Sequence, residues 1–533
     1  MRLSSPYPQL RPEQGCVVSY CPIASSFGSR VLREGGNAVD AAVATALALA
    51  VTYPQAGNIG GGGFLLVYEP EEPRAHFLDY RETAPRQVDL AKLRAQPQEQ
   101  PMEGALSVGV PGTIAGLAAA LERFGTFAWD RVLGPIIELA EAGTWLTTRQ
   151  AGYLSLFADA MRRHPSTARS LLRDGAAPSP GTRFAHPDLA RTLRRLAEAG
   201  PGDFYSGAIA SQIIDEVRRG GGTLAPEDLA SYTPVWRVPL ERELAGRRLF
   251  TAPLPSGGGL VLALALGLLE AETRDGPVTG LARAQLLARI FRVAFAIRQL
   301  AGDPDALPAR DVELLNERAR RTYEPGELDR LERELVSPRR APSGGASTTH
   351  FCVIDAGGVA VSNTYTLNTM FGSKLVVGGA GFLLNNCLDD FFLGDERPNW
   401  YELVDGERNL LSPGRRPVSS MTPTIIAGDR GAELVIGGSG GPRIPTMLAQ
   451  IVADIVLWGR RLEDAIRAPR VHHQLIPEEI VLERGWPDEV AEALVASGHV
   501  IARAPLLGLC SAIQLDAARN EMSAALDGRL TLE

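Results

Sequence analysis

Thr348 begins a Thr-Thr-His sequence and follows Ser347 at the end of a segment rich in Pro, Gly, Ser and Arg. A threonine hydroxyl is a poor nucleophile unless a base is held beside it, and one such base is the residue's own α-amine at a chain terminus. That amine has a pKa of about 7.7 to 8.0 in model compounds, so it can accept a proton near neutral pH. Thr348 becomes terminal if its hydroxyl attacks the Ser347 carbonyl and water then opens the ester. Taken alone, this pattern is more typical of a polar strand start, and a self-cleaving precursor cut between Ser347 and Thr348 is the alternative that this chemistry allows.

Two β-strands are predicted directly after Ser347, over residues 349–355 and 359–366. Ala356-Gly357-Gly358 separates them and is typical of a hairpin turn. With the turn centred on Gly357, Thr348 and Thr366 are equally distant from it along the chain and lie opposite each other. The hairpin therefore brings a second hydroxyl next to the nucleophile.

Other elements are predicted to position further polar groups. Asn37 can cap a buried helix over residues 38–51, and a core strand is expected at residues 64–68. The glycine run before that strand lacks the Lys-Ser or Lys-Thr of a phosphate-binding loop, so we interpret it as close packing or a site wall. Another strand, residues 76–80, leads to Arg81.

The rest of the first part of the chain is predicted to be scaffold and linker. Residues 115–336 have mainly helical periodicity with polar outer faces. Residues 337–347 (SPRRAPSGGAS) have the composition of a linker.

Composition excludes several functional classes. Hydrophobic residues make up 45% and charged residues 22% of the 533 residues, as in ordinary globular proteins. The net charge of -8 gives no reason to expect nucleic acid or an anionic membrane as a partner. The longest apolar run, residues 41–51, is too short to span a bilayer. Residues 1–8 do not resemble a secretory signal, so we expect a cytoplasmic protein, with periplasmic or secreted location as the alternative.

Neither metal nor cofactor chemistry is indicated. The seven histidines form no metal-binding motif. The cysteines are odd in number and lack CxxC spacing, which argues against a disulfide framework or a zinc site. They are Cys16, Cys21, Cys352, Cys387 and Cys510. We therefore expect no metal and no cofactor.

Ten ordered segments resemble the γ-glutamyltransferase family, also called γ-glutamyl transpeptidase or glutathione hydrolase. Members are made as one chain that is cut before the first threonine of a TTH motif. The matching segments are GGNAVDAAVATALAL (35–49), IGGGGF (59–64), DYRETAP (79–85), GVPGTIAGL (109–117), GGTLAPEDLASY (221–232), TTHFCVID (348–355), TYTLNTMFG (364–372), FLLNNCLDDF (382–391), RPVSSMTPT (416–424) and GGSGGPRI (437–444).

The resemblance implies a catalytic group centred on Thr348. Thr348 is then the nucleophile, its α-amine is the base, and Thr366 orients its hydroxyl. Gly440 and Gly441 match the family's paired backbone N–H donors, which stabilise the oxyanion of a tetrahedral intermediate.

The resemblance also implies a clamp for the α-carboxylate and α-ammonium of a γ-glutamyl group. Arg81 is expected to bind the carboxylate with help from Ser419 and Ser420, because a planar guanidinium can bind a carboxylate through two hydrogen bonds. Asp390 and Asn368 match the groups that bind the ammonium.

Cys387 departs from the family, which commonly has glutamine or glutamate there to complete the ammonium site. A thiol is a weak acceptor, so recognition of the α-amino group is expected to be weaker. Tyr401 lies in a segment that resembles the lid loop of bacterial members, and it is expected to cover the pocket of Thr348.

The implied fold is α+β, the four-layer αββα sandwich of N-terminal-nucleophile hydrolases. A large subunit of residues 1–347 and a small catalytic subunit of residues 348–533 are expected to intertwine in one globular unit. The implied reaction passes the acyl group of a γ-glutamyl amide such as glutathione to water or an amine. The alternatives are a cephalosporin-type or other acyl-amino amidohydrolase, and an uncleaved, non-catalytic binding homologue.

Overall fold

The structure is a computed structural model that describes residues 14–97, 101–335, 348–395, 398–516 and 521–530. The predicted linker, including Ser347, lies outside the described residues.

Strands and helices are numbered in chain order. The strands are β1 (Cys16–Ser19), β2 (Gly62–Glu69), β3 (Arg74–Tyr80), β4 (Thr144–Trp145), β5 (Arg183–Phe184), β6 (Val235–Arg237), β7 (Leu240–Leu244), β8 (Arg247–Thr251), β9 (Thr349–Ile354), β10 (Ala360–Thr366), β11 (Thr424–Gly428), β12 (Gly431–Ser439), β13 (Val471–His472), β14 (Ile480–Glu483), β15 (Ile501–Ala504), β16 (Leu509–Asp516) and β17 (Glu521–Leu526). The helices are α1 (Pro22–Arg33), α2 (Ala38–Thr52), α3 (Leu90–Arg94), α4 (Thr113–Phe124), α5 (Trp129–Ala142), α6 (Thr148–Leu156), α7 (Ala158–Arg162), α8 (Pro165–Leu171), α9 (Pro187–Ala199), α10 (Asp203–Ser206), α11 (Ala208–Arg219), α12 (Pro226–Ala230), α13 (Gly257–Glu272), α14 (Gly280–Arg298), α15 (Ala309–Arg320), α16 (Glu327–Leu335), α17 (Arg443–Val452), α18 (Leu462–Arg467) and α19 (Asp488–Ala496).

The first of two large sheets contains the predicted hairpin. Its strand order is β1-β9-β10-β2-β3-β6, and every neighbouring pair is antiparallel. Thr349 pairs with Tyr365 and His350 pairs with Thr364. This register confirms the predicted hairpin and brings Thr348 beside Thr366.

The second sheet has the order β17-β16-β12-β11-β8-β7. Strands β7 and β8 belong to the stretch that was predicted to be mainly helical, so that prediction was wrong here. Strand β7 buries Leu240, Arg242 and Leu244 on one face. The buried arginine interrupts the apolar alternation by which a strand is recognised in a sequence.

The two sheets pack face to face and are covered by helices on their outer faces. Between them lie large apolar side chains such as Phe64, Tyr68, Phe250 and Ile425. Alternate residues of β2, including Leu65, belong to the core that also contains α2. The outer face of the second sheet shares a core with α13 and α17. The predicted four-layer αββα fold is confirmed.

Helix α2 forms where the sequence predicted a capped, buried helix. The Asn37 side chain accepts hydrogen bonds from the N–H groups of Val39 and Asp40, as predicted for the cap. Every residue of the helix is buried, because it is enclosed by other helices as well as by the sheet. Across the described ranges, no helix has the length and apolarity needed to cross a membrane.

Candidate active site

Thr348 lies immediately before β9, and its hydroxyl is 3.5 Å from that of Thr366 at the end of β10. Both residues are buried. Thr366 Oγ1 also accepts a hydrogen bond from Asn368 N at 2.9 Å, which fixes the orientation of the hydroxyl. The hairpin therefore holds an oriented polar group beside the hydroxyl of Thr348.

The glycine run before β2 lets the backbone come close behind this pair. A Cβ atom on Gly61 would lie 2.1 Å from the Thr366 carbonyl oxygen, and one on Gly62 would lie 2.5 Å from the Tyr80 carbonyl oxygen. No side chain fits at such distances, so close packing explains these glycines, as predicted.

Gly440 and Gly441 form the turn between β12 and α17. Both have positive φ angles, 142° and 57°, which favour glycine. Neither N–H group donates a backbone hydrogen bond in the turns, loops and caps of the described residues. Gly441 lines the cavity at Thr348, and Gly440, which precedes it in the turn, does not.

Arg81 follows β3 and is buried together with two carboxylates. Its Nη1 donates to Glu82 Oε2 at 2.9 Å, and its Nη2 donates to Asp390. Burial raises the pKa of Asp390 to about 6, although the guanidinium acts in the opposite direction. The expected carboxylate-binding and ammonium-binding groups are therefore paired with each other.

Cys387 lies behind this ion pair and does not line the cavity. Its Sγ donates to Glu82 Oε1 at 3.0 Å and accepts from Arg81 Nη1 at 3.3 Å. Burial, then the charge of Glu82, raises the pKa of the thiol well above its ordinary value. Cys387 is thus a neutral thiol that supports the clamp from behind.

Asn368 connects the nucleophile to the segment expected to form a lid. Its φ of 77° is in the left-handed region, which asparagine tolerates better than most residues. Its carbonyl oxygen accepts a hydrogen bond of 2.6 Å from the Tyr401 hydroxyl. The Tyr401 ring lies over Gly441, where an added Cβ would be 2.7 Å from Cδ1.

These groups enclose a cavity of about 20 Å³. This is room for about one water molecule, so the site is too narrow for a substrate in this structure. Its lining includes the predicted residues Arg81, Thr348, Thr366, Asn368, Asp390, Tyr401, Ser419, Ser420 and Gly441. Of the predicted site residues that the structure describes, only Gly440 and Cys387 are outside the lining.

Two polar residues of the site were missed by sequence analysis. Glu82 is fully buried next to Arg81, and its place in the RETAP segment was a usable signal. Arg298 lines the cavity from the end of α14, where a single arginine on a helix gives no signal by itself. No group of three or more metal-ligating side chains occurs among the residues described.

The sequence matches the family model described as Gamma-glutamyltranspeptidase over residues 24–531. It is similar to the glutathione hydrolase proenzyme of Escherichia coli K12, with 36% identity over 95% of this chain and 89% of the relative. It is 39% identical to the glutathione hydrolase proenzyme of Pseudomonas aeruginosa PAO1 over 91% of this chain and 88% of the relative.

Among solved structures, a cephalosporin acylase from Bacillus halodurans has a TM-score of 0.85 and 26% identity. The match covers 99% of this chain and 97% of the acylase chain. The family match spans nearly the whole sequence and both sheets of the fold. The chain therefore belongs to the γ-glutamyltranspeptidase family.

Proposed function

We propose that this chain is a self-cleaving γ-glutamyltransferase and hydrolase that acts on γ-glutamyl amides such as glutathione. The observation that carries the proposal is the 3.5 Å pair of Thr348 and Thr366 hydroxyls in a cavity that also holds Arg81 and Asp390. A nucleophile and a clamp for a zwitterion are the two parts that this reaction needs. Family membership supports the same activity.

Maturation is proposed to occur at the bond between Ser347 and Thr348. Thr348 Oγ1 attacks the Ser347 carbonyl carbon, the C–N bond breaks, and the chain is held by an ester. Water then hydrolyses the ester, leaving a carboxylate on Ser347 and a free α-amine on Thr348. The products are a large subunit of residues 1–347 and a small subunit of residues 348–533.

In catalysis, the α-amine of Thr348 accepts the proton of its hydroxyl as Oγ1 attacks the γ-amide carbon. The N–H groups of Gly440 and Gly441 donate to the oxyanion that forms. The amine leaves with a proton, and a γ-glutamyl ester remains on Thr348. Water or an acceptor amine then takes the acyl group and regenerates the hydroxyl.

Substrate entry requires the cavity to open, because about 20 Å³ cannot hold a γ-glutamyl group. Movement of Tyr401 away from Gly441 makes the necessary space. The substrate ammonium can then replace a guanidinium N–H as the partner of Asp390. This exchange keeps the buried carboxylate paired, which lowers the free-energy cost of opening the ion pair.

Denaturing electrophoresis tests maturation. The 57.0 kDa precursor should give two fragments, the smaller beginning Thr-Thr-His, and Thr348→Ala should remain a single band. The mature enzyme should release p-nitroaniline from γ-glutamyl-p-nitroanilide. A wild-type chain that stays uncut after long incubation and has no activity would instead be the non-catalytic binding homologue.

A second candidate, an amidohydrolase for acyl groups without an α-amine, is favoured by Cys387. This thiol is turned towards Glu82 and gives the cavity no further acceptor for an ammonium. Glutaryl-p-nitroanilide, which lacks the α-amine, discriminates the two. A clear preference for the glutaryl donor over the γ-glutamyl donor would establish the second activity and contradict the first.

A further inference from the structure

Lys374 is a fully buried lysine in the loop that follows β10. The sequence contains 54 lysines and arginines, and only Lys92 and Lys374 are lysines. Lys92 is exposed on α3. Burying an ammonium is unfavourable unless its donors are bonded. In a chain that uses arginine at nearly every other basic position, a lysine at a buried position indicates a requirement for its compact head group.

The ammonium of Lys374 binds the backbone of its own loop. Its Nζ donates to the Gly372 carbonyl oxygen at 2.8 Å and to Thr369 Oγ1 at 3.3 Å. The loop needs such support, because Asn368, Phe371 and Lys374 have φ angles of 77°, 60° and 63°. Side chains are unfavourable in this left-handed region, and such residues persist only where the surrounding structure holds them.

The same loop holds the groups that orient the nucleophile. Thr369 donates to Asn386 Oδ1 through its N–H at 3.1 Å and its hydroxyl at 3.2 Å. The Asn386 carbonyl oxygen accepts a hydrogen bond of 3.2 Å from Asn368 Nδ2. Asn368 N donates in turn to Thr366 Oγ1, which lies beside Thr348. A continuous series of hydrogen bonds therefore joins the buried ammonium to the orienting hydroxyl.

Four ionisable side chains interact with the ammonium through their charges: Glu103, Asp389, Arg163 and His164. Glu103 Oε1 is 3.8 Å from Lys374 Nζ. Burial lowers the pKa of Lys374 to about 8, although Glu103 and then Asp389 act in the opposite direction. Burial raises the pKa of Asp389 to about 7. This carboxyl group therefore ionises before the ammonium loses its proton.

We propose that Lys374 is a positioning residue for the reaction at Thr348. Its ammonium holds the loop through the Gly372 carbonyl oxygen, and the loop holds the Thr366 hydroxyl. Lys374 does not line the cavity, so it acts through this connection. The inference rests on the proposed function and adds an alkaline limit to it. The reaction slows as the ammonium loses its proton, because a charged donor forms a stronger hydrogen bond than a neutral amine.

NMR of the two lysines measures the charge of Lys374 directly. Protein that contains lysine labelled with carbon-13 at Cε should give two signals, and Lys92→Met identifies the one from Lys374. That signal should titrate at about pH 8. The α-amine of Thr348 acts as a free base, so its own titration makes the rate rise with pH. A fall in rate on the alkaline side therefore has another source.

Lys374→Met has a similar length but no charge. It should lower kcat with γ-glutamyl-p-nitroanilide by about 10- to 100-fold at pH 7, since a small misplacement of a catalytic group has effects of this size. The ratio of wild-type to variant kcat should then fall about fivefold between pH 7 and pH 9.5, as the charged donor is lost. Titration of the substrate's own ammonium cancels in this ratio. Lys92→Met is the matched control and should keep the wild-type kcat at every pH.

Glu103→Gln tests the same connection without replacing Lys374. Glu103 raises the pKa of Lys374, so its removal should move the NMR titration to lower pH. The alkaline fall in kcat should move by the same amount. This variant also provides the test if Lys374→Met fails to fold or to self-cleave.

A ratio that stays constant while the Lys374 signal titrates would overturn the proposal, because it would show a purely structural role. A kcat of Lys374→Met within twofold of wild type would do the same. Failure of the proposed function looks different, because the wild-type enzyme would then release no nitroaniline from the γ-glutamyl donor. Lys374 would in that case be tested through the pH dependence of self-cleavage, which uses the same two threonine hydroxyls.

Discussion

Replacing Gly441 by alanine tests the contact between the turn at Gly440 and Gly441 and the side chain of Tyr401. The new Cβ would lie 2.7 Å from Tyr401 Cδ1 and 2.8 Å from Cε1, so the ring must move. Alanine at a φ of 57° costs about 1 kcal/mol, and displacing a packed side chain costs about 1 to 3 kcal/mol. The substitution should therefore destabilise the closed site by about 2 to 4 kcal/mol.

The same change should affect catalysis far more than global unfolding. Misplacing one oxyanion donor typically lowers kcat by about 100- to 1000-fold, and we expect this loss with γ-glutamyl-p-nitroanilide. The thermal midpoint should fall by only about 2 to 4 °C, because a chain of this size has an unfolding entropy of roughly 1.1 kcal/mol/K.

Gly406→Ala is the control for this experiment. Its φ of -92° suits any residue, and its Cβ would meet only the Gln299 carbonyl oxygen, at 3.7 Å. It should keep near-normal kcat and midpoint. If Gly441→Ala also keeps kcat within twofold of wild type, the expectation that the crowding at Tyr401 displaces the Gly441 N–H is refuted.

Two further predictions concern Thr366 and Glu402. Thr366→Val should slow both self-cleavage and nitroaniline release, because the hydroxyl beside Thr348 is lost. Thr366→Ser keeps a hydroxyl and should retain both activities. Equal rates for the two variants would contradict this role. Burial, and then the charge of Glu479, raises the pKa of Glu402 from 4.5 to about 8. Since its folded pKa is the higher one, the folded state loses stability as pH rises from 4.5 to about 8. The midpoint of Glu402→Gln minus that of wild type should therefore increase from pH 5 to pH 8.5, and a constant difference would exclude the effect.

Local signals were sufficient to predict several elements of the fold. The hairpin followed from two alternating segments about a glycine turn, and the cap of α2 followed from Asn37 before an apolar run. Strands β7 and β8 were missed for a tertiary reason. Arg242 is buried in β7 because its Nη1 donates to the carbonyl oxygens of Ala319 and Arg321 at the end of α15, partners that no local pattern reveals.

The same contrast between local patterns and tertiary contacts applies to the residues of the site. Residues within recognisable segments, such as Thr348 and Asp390, could be named from the sequence, and the structure brings them into one cavity. Arg298 could not be named, because its approach depends on the absence of a side chain at Gly257 on another helix. The direction of the Cys387 thiol likewise depends on buried neighbours.

The order of the first sheet has a consequence for how the protein can be made. Strands β9 and β10 follow Thr348 in the chain, yet they lie between β1 and β2, which precede it. Either part made alone would have strands with unpaired edges and with apolar faces that are buried only in the intact fold. Unpaired strand edges of this kind promote aggregation. Either part made without the other is therefore expected to aggregate. A circularly permuted gene that starts at Thr348 would supply the free α-amine from the first round of translation, once the initiator methionine is removed.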